Sequence, residues 1–455
     1  MGSVDRDHRN GAFRSRATSR TSRVSRRSFV DQTMNTLTAP RASVFTPILI
    51  AASLVLLVSF AIRASFGVFQ IPIANDLGWF RSEFSLAIAI QNLAWGIATP
   101  FFGALAEKIG DRVAIVIGVI VYALGLGFSA MAESALSHQL LEILVGVGIA
   151  GTGFGVILGV VGRAANDENR SMALGVTTAA GSAGQIVGPP ATQYLLEIMT
   201  WQGVFGVYAV VILLALFALP FFNVAKPQSK ASVDASLSRI LLSASRDPSY
   251  MLIFVGFFSC GFQLAFVTAH FPAFVTEACA SIDPNGVLAS LGIDDTAALG
   301  AVAIAVIGVF NIFGTIAAGI LGGRYPKKWL LAGIYFARTL LAAWFILVPM
   351  TPTTVLIFSA IMGSLWLATV PLTSGLVAYI YGIRYMGTLY GLVFLSHQIG
   401  SFVGVWLGGD LYDRFGGYDV VWWVGVGTGL LSAIVHLPVK EVPKSQVTGV
   451  SVGHH

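Results

Sequence analysis

Charge is what this chain has least of. Only 11% of its 455 residues are Asp, Glu, Lys or Arg, 55% are hydrophobic, and the mean hydropathy is +0.78. Soluble globular proteins carry about 25% charged residues, so this composition excludes a water-soluble domain and implies a membrane protein. Cysteine is scarce as well. Cys260 and Cys279 are too few and too poorly patterned for a disulfide framework or a metal cluster, and they leave the redox compartment undetermined. No phosphate-cradling G-x-x-x-x-G-K-[ST] loop occurs, so any transport would draw on gradients rather than on nucleotide hydrolysis. No nucleophile, base and orienting group recur at a plausible spacing, and an enzyme is not expected. Neither a cofactor nor a nucleic-acid partner is expected.

What the chain has in abundance is long apolar runs. A helix of about 20 residues crosses a hydrocarbon core of about 30 Å. Twelve such runs can be counted, over 47–73, 83–106, 113–133, 139–162, 171–195, 203–223, 249–275, 297–322, 328–349, 353–381, 386–409 and 419–438. The expected fold is therefore an all-α membrane protein of twelve spanning helices. Lys and Arg set its orientation. With both termini cytoplasmic, the inner loops hold Lys108, Arg112, Arg163, Arg170, Lys226, Lys230, Arg239, Arg246, Arg324, Lys327, Lys328, Arg384, Lys440 and Lys444, whereas the outer loops hold only Arg81 and Arg414. A multi-pass protein of a cell membrane, a bacterial inner membrane by expectation, follows.

Residues 1–45 carry nine Arg and many Ser and read as a disordered basic cytoplasmic tail. No cleavable secretory signal is visible, because the first apolar run is too long and begins too late. The polar stretch 224–248 is the one long inner connection. Leu237, Ile240, Leu241 and Leu242 suggest a short amphipathic helix on the membrane face there. It divides six helices in 46–223 from six in 249–438, and 439–455 forms a cytoplasmic C-terminal tail.

Two cations are left inside spans, Arg63 and Arg338. A guanidinium cannot shed its charge, and its insertion near the bilayer centre costs on the order of 3 kcal/mol. Arg63 has no acid on its own segment, so it is either a functional site or one member of a pair that locks two helices. Arg338 reads as a packing residue. Glu133 and Glu142 read as solvated or mouth groups. On that reading no acid sits deep in a cavity-lining helix, which favours an anionic cargo over a cationic one.

The two halves repeat each other. Arg63-Ala-Ser-Phe66-Gly-Val-Phe-Gln70-Ile-Pro72 aligns with Gln263-Leu-Ala-Phe266-Val-Thr-Ala-His270-Phe-Pro272 at an offset of 200. Gly103 to Lys108 aligns with Gly319 to Arg324 at an offset of 216, and the same offset pairs Gly175 with Gly391, Gly184 with Gly400 and Gly188 with Gly404. The sixteen extra residues fall in the outer loop around 281–295. Parallel six-helix repeats place a substrate site at the midplane between pseudo-symmetric bundles, reached alternately from either side.

The loop Gly103-Ala-Leu-Ala-Glu107-Lys108-Ile-Gly110-Asp-Arg112 resembles the signature between the second and third helices of the major facilitator superfamily (MFS). Glu107 stands where the family has Asp, and Gly323 replaces it in the second copy. Gly184-Gln-Ile-Val-Gly188-Pro189-Pro190 resembles the family's Gly-Pro motif of antiporters. The family's Arg on the fourth helix is missing: four residues before Gly146 stands Glu142. Arg63-Ala-Ser-Phe-Gly-Val-Phe, Asp76-Leu-Gly-Trp79, Gln91-Asn-Leu-Ala-Trp95-Gly96, Cys260-Gly-Phe-Gln263 and His397-Gln398-Ile-Gly400-Ser-Phe402 together resemble the bacterial branch of monocarboxylate transporters and oxalate/formate antiporters. The resemblance implies two six-helix bundles with helices one, four, seven and ten around a central cavity.

Counting 1.5 Å per residue from the helix ends puts Gln263, Asn311, Trp366, His397 and Gln398 near Arg63 in height. With the helix order the family implies, these residues can meet. Arg63 would clasp a carboxylate in fork geometry. His397 is the candidate for a coupled proton, because imidazole changes charge near neutral pH; a neutral His at a helix contact is the other reading. Gln91, Asn92 and Gln185 read as hydrogen-bonders, Tyr122 as a wall and His270 as a gate residue near the outer mouth.

The expectation is a monomeric secondary transporter of a small organic anion, a monocarboxylate by preference, coupled to H+ or working by exchange. A drug or metabolite exporter of the same fold is the alternative. A non-transporting sensor is the remote one.

Overall fold

The computed structural model describes residues 45–165, 170–222, 242–381 and 386–443. The basic tail, the proposed amphipathic segment up to residue 241 and most of the C-terminal tail lie outside these residues.

Among the described residues, twelve long helices follow one another. They are α1 (Pro47–Leu77), α2 (Arg81–Lys108), α3 (Asp111–Ser129), α4 (Ala135–Ala164), α5 (Arg170–Ile198) and α6 (Trp201–Phe221), then α7 (Pro248–Ala278), α8 (Thr296–Gly322), α9 (Lys327–Leu347), α10 (Pro352–Tyr381), α11 (Met386–Phe415) and α12 (Asp419–His436). Eleven are long and apolar enough to cross a membrane. The twelfth, α5, is 29 residues long but rich in Gly, Ser and Thr. The ends lie where the chemistry puts them. Side-chain oxygens of Thr46, Ser134, Thr200, Asp247, Asp295 and Thr351 accept amide bonds in the first turns of α1, α4, α6, α7, α8 and α10. Gly78 ends α1 in the left-handed region with φ 66°.

Three spans are interrupted, which hydropathy could not reveal. In α1 the chain tightens to a 3-10 turn over Phe66–Phe69 directly after the segment carrying Arg63. Helix α4 breaks at Gly153, and α10 breaks between Leu365 and Thr369. Helices α4 and α10 are the fourth members of their halves, so these two breaks obey the repeat.

The packing obeys it too. A Cβ added at Gly184 or Gly188 of α5 would run into the backbone carbonyls of Leu57 and Ala61 on α1, and one at Gly400 or Gly404 of α11 would meet those of Phe258 and Phe262 on α7. Small residues let spanning helices approach this closely, where dispersion does the work that the hydrophobic effect does in water. The second half holds an aromatic core. Phe345 stacks on Phe358 with ring centroids 4.2 Å apart, and Trp422 and Phe271 lie against both.

Arg338 lies in that core, fully buried. Its guanidinium donates to the carbonyls of Leu365 and Trp366, which the break in α10 leaves without helical partners, and Nη1 lies 3.5 Å from Cys260 Sγ. Packing was the expected role, and the acceptors are backbone. Glu133 is exposed, as expected of a mouth group, but Glu142 is 0% exposed, which corrects its assignment to the mouth. Hydropathy locates the span but not which face of α4 turns inward.

Candidate functional site

Arg63 projects from α1 into a small cavity between the halves, lined also by Phe66, Gly67, Ile88, Gln91, Asn92, Ala265, Thr268 and Ala269. Its Nη2 donates to Asn92 Oδ1 at 3.2 Å, and its guanidinium carbon lies 4.7 Å from the centre of the Trp95 ring. Nε is buried without a hydrogen-bond partner. Among the described residues no carboxylate lies within ion-pair reach of Arg63. A desolvated cation–π contact is worth about 2 kcal/mol and a hydrogen bond to a charged donor about 1.5–3 kcal/mol. Together these roughly offset the insertion cost while leaving the fork's charge uncompensated. The cavity measures about 10 Å³, enough for roughly one water and too small for an organic solute.

The other expected site residues do not line the cavity around Arg63. Gln263 turns into its own half and donates to Gly425 O at 3.0 Å. Trp366 is buried at the break in α10, its carbonyl held by Arg338. His397 stacks on Phe394 with ring centroids 5.7 Å apart, and its Nδ1 lies 2.9 Å from Gln398 Oε1. Asn311 and Gln398 do cross between halves, but as clasps. Asn311 donates to Ser182 Oγ at 2.9 Å and accepts from Leu367 N, while Gln398 donates to Asn92 O at 3.0 Å and packs on Gly96. Counting along a helix fixes a residue's height; it does not fix which way the side chain points.

Beyond the cavity the halves are latched at one face. Gln70 Nε2 and His270 Nδ1 are 3.0 Å apart, His270 Nε2 lies 2.8 Å from Val405 O, and Gln70 bonds Tyr418 and Ser85. Arg81 pairs with Glu277, which also accepts from Tyr412. Asp413 receives the backbone amides of Arg81 and Ser82 at 3.0 and 2.8 Å, capping α2 from the opposite half. Toward the other face the ion pairs among the described residues stay within a half: Arg163 with Asp111, and Lys327 with Glu441. Gly103, Gly175, Gly319 and Gly391 have nothing near the place a Cβ would take. Among the described residues, the bonds that tie one half to the other beyond the cavity thus gather at the end that holds Gln70.

The loop motif sits at the other end. Gly110 adopts φ 122°, a value that only glycine takes readily, and lets α3 begin at once. Arg112 donates to Pro220 O at 3.0 Å, tying α3 to α6. The side chain of Glu107 lies outside those described. Pro189 sits inside α5, one residue past the Gly188 seam.

Sequence reasoning took Gln91 and Asn92 only as hydrogen-bonders and missed Thr268 and Glu142. One signal was available: His138 and Glu142 stand at i,i+4 spacing on an otherwise apolar face.

Among the described residues, twelve helices in repeated halves around a buried cation define a polytopic membrane protein with the architecture of a transporter. The sequence profile described as Major Facilitator Superfamily matches residues 51–405, and the chain belongs to that family. Over 406 residues it is 24% identical to an uncharacterized MFS-type transporter, YcxA of Bacillus subtilis, covering 86% of this chain and 94% of that one. It is 32% identical over 135 residues to mouse monocarboxylate transporter 11, covering 29% of this chain and 27% of that protein. Among solved structures, the D-xylose-proton symporter superposes with a TM-score of 0.64 at 16% identity, covering 89% of this chain and 99% of that one, a likeness of fold.

Proposed function

We propose that this protein moves a small organic anion, a monocarboxylate by preference, across a cell membrane by rocking its halves about the Arg63 cavity. The observation that carries this reading is a permanent cation in an interhalf cavity with no carboxylate partner among the described residues and a buried, unpaired Nε. A carboxylate fits that fork in bidentate geometry, and Thr268 lines the opposite wall with its hydroxyl donated to Leu264 O at 2.8 Å. Either proton symport or anion exchange would serve. The latched face is the outer one if both termini are cytoplasmic, as the Lys and Arg distribution favours.

The test is uptake of labelled lactate, glycerate and formate into proteoliposomes. Arg63→Ala is expected to reduce uptake at least about 100-fold with normal yield and monodispersity, and Arg63→Lys to retain a small fraction, since an ammonium cannot reproduce the fork. Unchanged uptake by Arg63→Ala would remove this residue from the site.

Export of cationic compounds is the second reading, and Glu142 is the observation in its favour. A buried acid is the feature that neutralises cationic cargo, and this chain was expected to lack one. Relatives over part or most of the chain include multidrug resistance protein MdtG of Escherichia coli, 24% identical over 357 residues. Resistance of cells to cationic dyes, lost in Glu142→Gln and kept in Arg63→Ala, would favour export.

A further inference from the structure

Three of the buried polar atoms that lack any hydrogen-bond partner belong to one pair of side chains: both ring nitrogens of His138 and Oε1 of Glu142. Both residues are fully buried in α4, one turn apart, with His138 Nε2 3.8 Å from Glu142 Oε1. The imidazole is enclosed by the rings of Trp79, Phe84 and Phe205. The other carboxyl oxygen accepts a 2.6 Å bond from Gln91, a residue that lines the Arg63 cavity. Consecutive residues of α2 therefore hold the two ends of one arrangement: Gln91 grips Glu142, and Asn92 grips Arg63.

A lock between α2 and α4 does not explain this pair. Two amides would tie the helices with every atom satisfied, whereas here each unpaired buried nitrogen or oxygen is a standing cost. Groups that must gain and lose a proton cannot be satisfied in both states. The titratable and charged groups around the pair are few. Tyr122 of α3 adjoins Glu142, with Arg63 of α1 and Tyr208 of α6 beyond it; α3 also brings Ser129.

We propose that His138 and Glu142 form the proton-binding site of this transporter, coupled through charge to Arg63. The proposal rests on reading Arg63 as the anion site. While Arg63 carries no anion, its charge favours the Glu142 carboxylate. When an anion pairs with the guanidinium, that field is neutralised and the carboxylate takes up one proton, so one anion and one proton cross together without net charge. His138 is the second base of the site, its Nε2 3.8 Å from Oε1, so that the pair holds the proton between them. No electron pair changes owner beyond the proton transfers.

The test separates this from the substrate assignment because its first arm needs no substrate. Infrared difference spectra of the purified full chain are recorded across a pH titration. The wild type is expected to show a carboxylic-acid carbonyl band that Glu142→Gln removes. In Arg63→Gln its midpoint moves to higher pH by about one pH unit or more, the size expected when a nearby unit charge is lost. The second arm uses proteoliposomes and lactate. Glu142→Gln loses accumulation driven by a pH gradient far more than it loses lactate-for-lactate exchange, which needs no net proton, and His138→Phe slows the gradient-driven rate. A band that survives in Glu142→Gln, or a midpoint that Arg63→Gln leaves in place, overturns the proposal. If the midpoint shifts but wild-type liposomes exchange no carboxylate, the proton site stands and the monocarboxylate reading falls.

Discussion

Arg63 and Arg338 show how one residue type takes two roles in one membrane protein. Both are guanidiniums within spans, yet Arg338 spends its donors on two backbone carbonyls stranded by the break in α10, whereas Arg63 leaves Nε unpaired beside a cavity. Removing Arg338 strands those carbonyls again at about 1–3 kcal/mol each, partly offset by no longer burying a charge. Arg338→Met is therefore expected to lower stability by about 2 kcal/mol, read as a fall in the melting temperature of the detergent-purified protein, while lactate binding weakens little. The two arginines could be singled out from sequence, because a charge in an apolar run stands out against its neighbours. Their partners could not. A carbonyl freed by a helix break leaves no mark in composition, and the inward turn of Glu142 depends on which face of α4 meets α2.

At the scale of helices, glycine separates the seams from the open flanks. On α5, Gly184 abuts the backbone of α1, but Gly175 two and a half turns earlier meets nothing within 4 Å. Gly184→Val should push α1 and α5 apart and sharply reduce the yield of folded protein; Gly175→Ala should be neutral or slightly stabilising through its better helix propensity. Size-exclusion profiles of the two variants decide it, and equal behaviour would contradict the seam. The span order and the pairing of Gly184 with Gly400 were legible from sequence, since hydropathy and an internal offset of 216 both survive in one dimension. The interruptions at Gly153 and after Leu365 were not, because an interrupted helix stays as apolar as a continuous one. That same blindness to direction put Gln263, Trp366 and His397 in one cavity, whereas they bond Gly425, Arg338 and Gln398.

For the molecule as a whole, the contacts that close one face set the balance between its two shapes. The Arg81–Glu277 pair is partly exposed, and such pairs are worth about 0–1 kcal/mol; Asp413 capping the two amides that begin α2 adds about 1 kcal/mol. A difference of that size moves an equilibrium about tenfold. Asp413→Asn together with Arg81→Ala should populate the shape open at that face, measured as faster labelling of a cysteine placed at Thr268 in a background lacking Cys260 and Cys279. No change in labelling would mean that the latch lies elsewhere.

Gln70 and His270 occupy the same position in their respective repeats, and they touch. A point and its image under a half-turn can meet only on the line about which the turn is made. The two side chains therefore straddle the central line of the protein, and under the proposed function a solute leaving by that face would pass only after this amide and this imidazole had let go of each other.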